Sequence, residues 1–422
     1  MYSKTTLANG LRILTADIPH ARSVSISIFV GAGSRYEEKP VAGAAHFVEH
    51  MFFKGTQQRP TSQQISEAIE GVGGIINAEV GKELAVYWAK VPGPHLDIAL
   101  DILADILRNS RFDPSEIEKE RRVILEELNM VMDDPREWVD VILDEVMWGD
   151  HPLGRDVGGT KDSVGTMSRT NLLHYLSSRY SPSATVVSLA GAIRHEDVVA
   201  DIERRLGDWQ GPKAGPPLLY PDDQVGPRVR IQPKDTEQLH MCVGIRGLSY
   251  SDPDRYGLDL LNVILGEGMS SRLFLEIREQ LGLAYDVHSY VNHYQDTGTM
   301  VAYAGVDPTR VDQTLDGLLE EFDRLRKPTP AQEITKAKEF WKGRMVLRLE
   351  DTRSIASWIG AQEVLLDHVL TVDEVIEIID ALSSEDMERA AARCFRDDRL
   401  SLAIVGPIKD GDRLANRLHF GR

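Results

Sequence analysis

The sequence predicts an α+β protein of two homologous domains, each a mainly antiparallel sheet with helices packed on it. Three observations carry this reading. At 422 residues the chain exceeds one ordinary core. A linker signal, Gly211-Pro212-Lys213-Ala214-Gly215-Pro216-Pro217, sits near the midpoint. The halves on either side repeat one pattern, in which strands and amphipathic helices mix without strict βαβ alternation. The boundaries expected are 1–210 for the first domain, 211–225 for the linker and 226–422 for the second domain.

Val24 to Val30 (VSISIFV) alternates as a half-buried strand, and a shift of 216 residues reaches a second strand candidate, His240 to Arg246. The Gly71/Gly73/Gly74 turn leads into a strand that begins near Asn77 and Ala78. Leu96, Leu100, Leu103 and Leu107 mark the apolar face of a helix. Its counterpart is Val311, Leu315, Leu318 and Phe322, shifted by 215. Asp113 as N-cap, Pro114 at N1 and Glu116 in a capping box open a further helix. Thr329, Pro330 and Gln332 repeat that start at a shift of 216. Three agreeing offsets indicate a duplication.

Between the first strand and the glycine turn lies Gly43-Ala44-Ala45-His46-Phe47-Val48-Glu49-His50. It reads H-x-x-E-H, the inverse of the H-E-x-x-H zinc-protease pattern. Small and apolar neighbours make it a buried helix, on which His46 and His50 stand one turn apart on one face. Both imidazoles can reach one metal ion. Glu49 lies close enough to touch water at the metal without binding the metal itself.

A catalytic zinc site needs a third protein ligand. The helix that starts at Asp113 offers Glu120, Glu126 and Glu127. Glu120 and Glu127 share a face, and Glu126 is rotated by about 100° from Glu127. Spacing alone does not choose between Glu126 and Glu127, and a Glu/Arg run also fits a solvated face.

The His46-Phe47-Val48-Glu49-His50 motif, followed after 76 residues by Glu127, resembles the pitrilysin family of zinc metallopeptidases, the inverzincins. The likeness extends to Gly31-Ala32-Gly33-Ser34-Arg35-Tyr36-Glu37, Phe52-Phe53-Lys54-Gly55-Thr56 and Gly73-Gly74-Ile75-Ile76-Asn77-Ala78. It resumes at Ser270-Ser271-Arg272-Leu273-Phe274 and at Arg278 to Tyr285. Glu79 and Val80 depart from the family pattern, which touches substrate preference. The resemblance implies a processing-peptidase-like metallohydrolase fold with helices on one face of each sheet. It implies that His46, His50 and Glu127 hold zinc, that Glu49 is the general base and that Glu120 supports the site. Arg278 and Tyr285 would bind substrate, and the two halves would close around it like a clamshell. Asn77 and Ala78 would receive an extended peptide on a strand edge.

Within the duplication, His46, Glu49 and His50 map to Asn262, Leu265 and Gly266. Glu120 and Glu127 map near Lys336 and Gly343. No ligand survives in the second copy, so one zinc ion per chain is expected. Gly266-Glu267-Gly268 lacks the third glycine and the lysine of a nucleotide loop.

The net charge of −18 opposes nucleic acid as a partner. No apolar run is long enough to span a membrane. The N-terminus enters a strand pattern almost at once, and the two cysteines give no disulfide framework, so a cytoplasmic enzyme is expected. The function expected is a zinc endopeptidase for oligopeptides or unfolded segments. The alternative is a catalytically silent accessory subunit on the same fold. Because both the zinc motif and the Arg278/Tyr285 pair lie on one chain, a homodimer is expected.

Overall fold

The computed structural model describes residues 2–213, 215–409 and 411–421. Two compact units make up the chain. The first holds a six-stranded sheet of β1 (Ser3–Thr6), β2 (Arg12–Asp17), β3 (Ser23–Val30), β4 (Ile75–Val80), β5 (Ala85–Pro92) and β6 (Thr185–Gly191). Its order is β1-β2-β6-β3-β5-β4, antiparallel except between β2 and β6. In the second unit β7 (Arg228–Pro233), β8 (Leu239–Gly247), β9 (Ala284–His293), β10 (Gly298–Val306) and β11 (Leu400–Gly406) run in the order β7-β11-β8-β10-β9. Only β7 and β11 pair in parallel there. The order β2-β6-β3-β5-β4 is thus reproduced strand for strand, as the repeated offsets imply. β4 and β9 occupy equivalent sheet edges.

Six helices build the metal centre, its counterpart in the second unit and the covers of the two sheets. They are α1 (Ala44–Phe52), α2 (Pro114–Asp133), α3 (Pro135–Trp148), α4 (Arg255–Gly266), α5 (Ala331–Arg348) and α6 (Thr352–Leu366). Asp113 caps α2 by accepting from the Ser115 N–H at 2.9 Å, while the Glu116 carboxylate pairs with Lys119 at 2.5 Å. Val24, Ile26, Ile28 and Val30 of β3 pack with α1 and the helix Leu96–Asn109 into the main core of the first unit. Among the described residues no helix is long and apolar enough to cross a membrane.

The units are not contiguous halves. Unit one comprises Met1–Leu128, Asp156–Leu218 and Leu347–Thr371. Unit two comprises Asn129–Arg155, Leu219–Val346 and Val372–Arg422. This differs from a division into 1–210 and 226–422. α3 comes from the first half of the sequence and packs in the second unit. α6 comes from the second half and packs in the first. The physical reason is that each sheet has a second face to cover. In unit one, Leu14, Ala16, Phe29, Val186 and Ala190 meet Ala356 and Ile359 of α6. In unit two, Cys242, Val301, Ala403 and Val405 meet Val139, Ile142, Leu143 and Met147 of α3.

This cover corrects the expectation that β3 is half-exposed and that helices lie on one sheet face only. Ser25 and Ser27 point away from the main core yet are fully buried. Ser25 shares a 2.8 Å hydrogen bond with Thr352, and the Ser188 hydroxyl donates to the Ala356 carbonyl at 2.7 Å. Small hydroxyl residues let the helix lie close, and the polar atoms of Ser25 and Ser188 find partners on it, whereas the buried Ser27 hydroxyl has none. Gly360 sits at the tightest point, where an added Cβ would run into the Phe29 ring. Gly360→Leu is therefore expected to overpack this interface and cost about 1–3 kcal/mol. Chemical denaturation against the wild type checks this, and an unchanged midpoint would refute the close approach.

Candidate metal centre

α1 owes its position to contacts at its start. Gly43 adopts φ +90°, and a Cβ there would lie 2.5 Å from the Gly158 carbonyl oxygen. Glycine is required on both counts. No side chain at Gly43 can cap the helix, so the buried Glu37 carboxylate does so from a distance. It accepts from the N–H groups of Gly43 (2.8 Å) and Ala45 (2.7 Å). Ala44, Ala45, Phe47, Val48, Met51 and Phe52 are buried. The remaining stripe of the helix carries His46, Glu49 and His50.

The two imidazoles meet at their Nε2 atoms, 3.2 Å apart. Glu127 Oε2 lies 3.8 Å from His46 Nε2 and 3.5 Å from His50 Nε2. Glu126, one residue earlier on α2, is exposed. The choice that spacing leaves open falls to Glu127 in space. Among the described residues, His46, His50 and Glu127 are the one group of three side chains whose ligand atoms gather within 4.8 Å.

Glu120 stands two turns before Glu127 and is nearly buried. Its carboxylate takes His50 Nδ1 at 3.0 Å on one oxygen and Lys54 Nζ at 2.8 Å on the other. An ionised carboxylate only accepts, so Nδ1 carries the His50 proton and the Nε2 lone pair faces His46 and Glu127. Burial works to raise the Glu120 pKa, but the hydrogen bonds and charges of His50 and Lys54 prevail and lower it. Burial also works to lower the His50 pKa, yet Glu120, Glu127 and Glu49 together raise it. His46 is pushed down to about 4 by burial and then by the His50 charge. Its Nδ1 is buried without a hydrogen-bond partner. Two imidazole nitrogens and a carboxylate oxygen converging this way fit the donor set of a catalytic zinc ion, and Glu120 behind His50 is the kind of outer partner that orients a ligating imidazole.

Glu49 is half-buried beside these donors. Burial raises its pKa; the His50 charge opposes this, and the charges of Glu127 and Glu79 reinforce it. Asn77 and Ala78 lie on β4, the sheet-edge strand. The Ala78 N–H bonds the Asn77 side-chain oxygen at 2.8 Å. Next along the edge, Glu79 pairs with Arg353 of α6, whose guanidinium lies 3.7 Å from the centre of the Trp88 ring.

Arg278 and Tyr285 are brought together in the second unit. The Arg278 guanidinium sits 4.7 Å from the Phe274 ring centre and 4.6 Å from that of Tyr285. Two irregularities produce this. Phe274–Gln280 is a π-helical turn. β9 pairs Ala284 with Val306 and Asp286 with Gly305, so Tyr285 is the extra residue of a β-bulge and is 77% exposed. Both irregularities re-aim side chains, and both recur at functional sites.

Sequence reasoning assigned no role to Lys54 or Glu37, although both lie in segments that carry the family likeness. Lys54 follows His50 by four residues, just beyond the end of α1, and a lysine so close to the motif is the signal that could have found it.

Comparison with known proteins agrees with these segments. A sequence profile described as "Insulinase (Peptidase family M16)" matches residues 12–161, and one described as "Peptidase M16 inactive domain" matches residues 166–340. The chain is 36% identical over 408 residues to the uncharacterized zinc protease YmxG of Bacillus subtilis, covering 96% of this chain and 98% of that one. It is 37% identical over 425 residues to an uncharacterized zinc protease of Streptomyces coelicolor, covering 99% and 91%. Its fold matches the crystal structure of a protease from Helicobacter pylori with a TM-score of 0.90 at 21% identity, over 96% of this chain and 99% of that one. A chain of Complex III2 from Candida albicans matches with a TM-score of 0.82 at 20% identity, over 99% of both.

Two expectations arise from the geometry. Glu127→Ala lowers zinc content far more than Glu126→Ala when the purified proteins are assayed for metal; the reverse ranking would place the wrong carboxylate at the histidines. Lys54→Met weakens zinc affinity about 10–100-fold, as does Glu120→Gln, because each disturbs the carboxylate behind His50. The double variant should be little worse than Glu120→Gln alone. Chelator competition across all four proteins measures this, and additive losses would show that Lys54 does not act through Glu120.

Proposed function

Because the chain belongs to peptidase family M16, the insulinase family, we propose that it is a zinc-dependent endopeptidase acting on oligopeptides or unfolded protein segments. One observation carries the reading: His46, His50 and Glu127 converge with Glu49 beside them and Glu120 behind His50. His46, His50 and Glu127 would hold the zinc ion, which would supply Lewis acidity toward a scissile carbonyl and an attacking water. The Glu49 carboxylate takes the water proton and returns it to the leaving amine, acting as base and then as acid. Its half-buried setting holds the proton-bearing form closer to neutrality than an exposed glutamate would.

The open edge of β4 suits an extended peptide added as a further strand, with Asn77 and Ala78 at the point of contact. Main-chain hydrogen bonds ignore side-chain identity, which favours varied unfolded substrates. Arg278 and Tyr285 have the chemistry to hold substrate carbonyls, the first as a fork of N–H donors and the second as a phenol donor. One zinc per chain is supported by the second unit, where Asn262, Leu265 and Gly266 stand in place of His46, Glu49 and His50. The reading as a silent accessory subunit is disfavoured by the retention of every donor together with the base.

Glu49→Gln keeps the shape of the site and removes its base. Hydrolysis of a quenched peptide is expected to fall by at least about 10²–10⁴-fold, with zinc content unchanged. Wild-type-like turnover would remove Glu49 from this role, and a zinc-free wild type without activity loss on chelation would sink the reading itself. Arg278→Ala should retain zinc while raising KM or lowering kcat on several peptides; unchanged kinetics would leave Arg278 outside substrate binding.

A further inference from the structure

In the second unit α4 corresponds to α1, the helix that carries His46, Glu49 and His50. Asp259, Asn262 and Gly266 are spaced along α4 so that they share one face. That face meets β9. Gly266 lies against Ser289, and the Asn262 side-chain oxygen accepts from the Ser289 hydroxyl at 2.7 Å. Earlier on the helix and later on the strand, Asp259 Oδ1 lies 3.0 Å from His293 Nε2. The stripe that holds metal donors in the first unit is here a polar zipper between helix and strand.

His293 is the informative member. Its Nδ1 lies 2.7 Å from the Leu248 carbonyl oxygen, and its side chain is only 11% exposed. A carbonyl only accepts, so Nδ1 carries a proton. An ionised carboxylate only accepts, so Nε2 carries one as well. Both hydrogen bonds are made at once by the imidazolium alone, because a neutral ring has a single N–H. The groups around the ring act in the same direction. Burial works to lower its pKa and the Arg255 charge adds to this, but Asp259 and the Leu248 carbonyl prevail and raise it. Asp259 and Arg255 both stand on α4, and Arg255 itself donates to the Tyr250 carbonyl and the Tyr256 hydroxyl. The loop after β8 contributes the Leu248 carbonyl and the uncharged Tyr250 ring, whose centre is 5.8 Å from that of the imidazole. On β10 the residue opposite is Gly298, which brings no charge.

The zipper has a definite place in the chain. α4 ends at Gly266 and β9 begins at Ala284. Residues 267–283 between them carry Arg278 and lead into Tyr285. We propose that His293 and Asp259 form a pH-sensitive clasp, closed while the imidazole is charged, that holds α4 to β9 and so anchors the segment bearing Arg278. Because the folded ring holds its proton more tightly than a free one, the clasp contributes fully below the ordinary histidine value of 6.5. It fades as the pH rises through the raised value of the folded protein. The clasp stands whether or not the chain hydrolyses peptides.

NMR of the full-length protein with labelled histidine rings tests the charge, and His293→Gln identifies the resonance. Both ring nitrogens should be protonated at about pH 6, with a titration midpoint above 6.5. Chemical denaturation tests the clasp. His293→Gln should raise the unfolding constant about tenfold at about pH 6, and the gap should shrink toward about pH 9, by at most about tenfold per pH unit. Asn262→Ala breaks the zipper at its uncharged step, so its cost should be the same at every pH. Amide exchange over residues 267–283 should be faster in His293→Gln than in the wild type at the lower pH and alike at the higher. Should His293→Gln not fold, Asp259→Asn takes its place, with a lowered ring midpoint and a cost that also shrinks as the pH rises. A ring that is neutral at the lower pH, a cost that does not change with pH, or equal exchange at the lower pH would overturn the proposal.

Discussion

The Glu120 carboxylate is nearly buried, with one oxygen on Lys54 and the other on His50 Nδ1. Much of the first unit's chemistry depends on this one arrangement. An accepting carboxylate fixes the imidazole tautomer, and the tautomer fixes which nitrogen offers a lone pair. That nitrogen faces His46 Nε2 at 3.2 Å, a contact that calls for a shared proton or a shared cation. The carboxylate can be ionised in a buried place because Lys54 stands against it. The ammonium, the carboxylate and the imidazole thus form one unit of charge, and α1 and α2 must keep their relative rotation for it to exist.

The duplicated unit shows what happens when that requirement lapses. Gly266, at the His50 position, lies so close to β9 that an added Cβ would sit 2.8 Å from the Ser289 Cβ. No imidazole fits there without moving a strand. Asn262, at the His46 position, is buried and accepts from the Ser289 hydroxyl at 2.7 Å. Loss of the donors went together with tighter helix–strand packing, which is a structural gain in place of a chemical one. Arg278 and Tyr285 belong to this unit and owe their stacked arrangement to a π-helical turn and a bulge rather than to regular elements.

Much of this was legible in the sequence because it rests on local periodicity. The helix carrying His46 and His50, the alternating strand at Val24 to Val30 and the repeated offset need only the spacing of side chains on one element. The choice between Glu126 and Glu127 needs the rotation of α2 against α1, which spacing on one helix does not contain. Ser25 and Ser27 read as solvent-facing, since a polar residue at every second position is the usual mark of a half-exposed strand. They are buried because a helix some 330 residues later covers them, and nothing local announces a partner so distant. The π-helical turn is hidden for a related reason: one extra residue in a turn leaves the composition unchanged.

The exchanged helices carry a consequence for how this molecule could be divided. A nick in the backbone between residues 211 and 225 would produce two fragments, each of which holds a helix that covers the other unit's sheet. The break would fall in a segment whose described residues form neither helix nor strand, yet it would not correspond to a boundary between independently folding bodies. Each fragment alone would expose an apolar sheet face and seek its mate. A gene split at this point would therefore encode two mutually obligate pieces, and the seam that the linker marks in the sequence is not a seam in the structure.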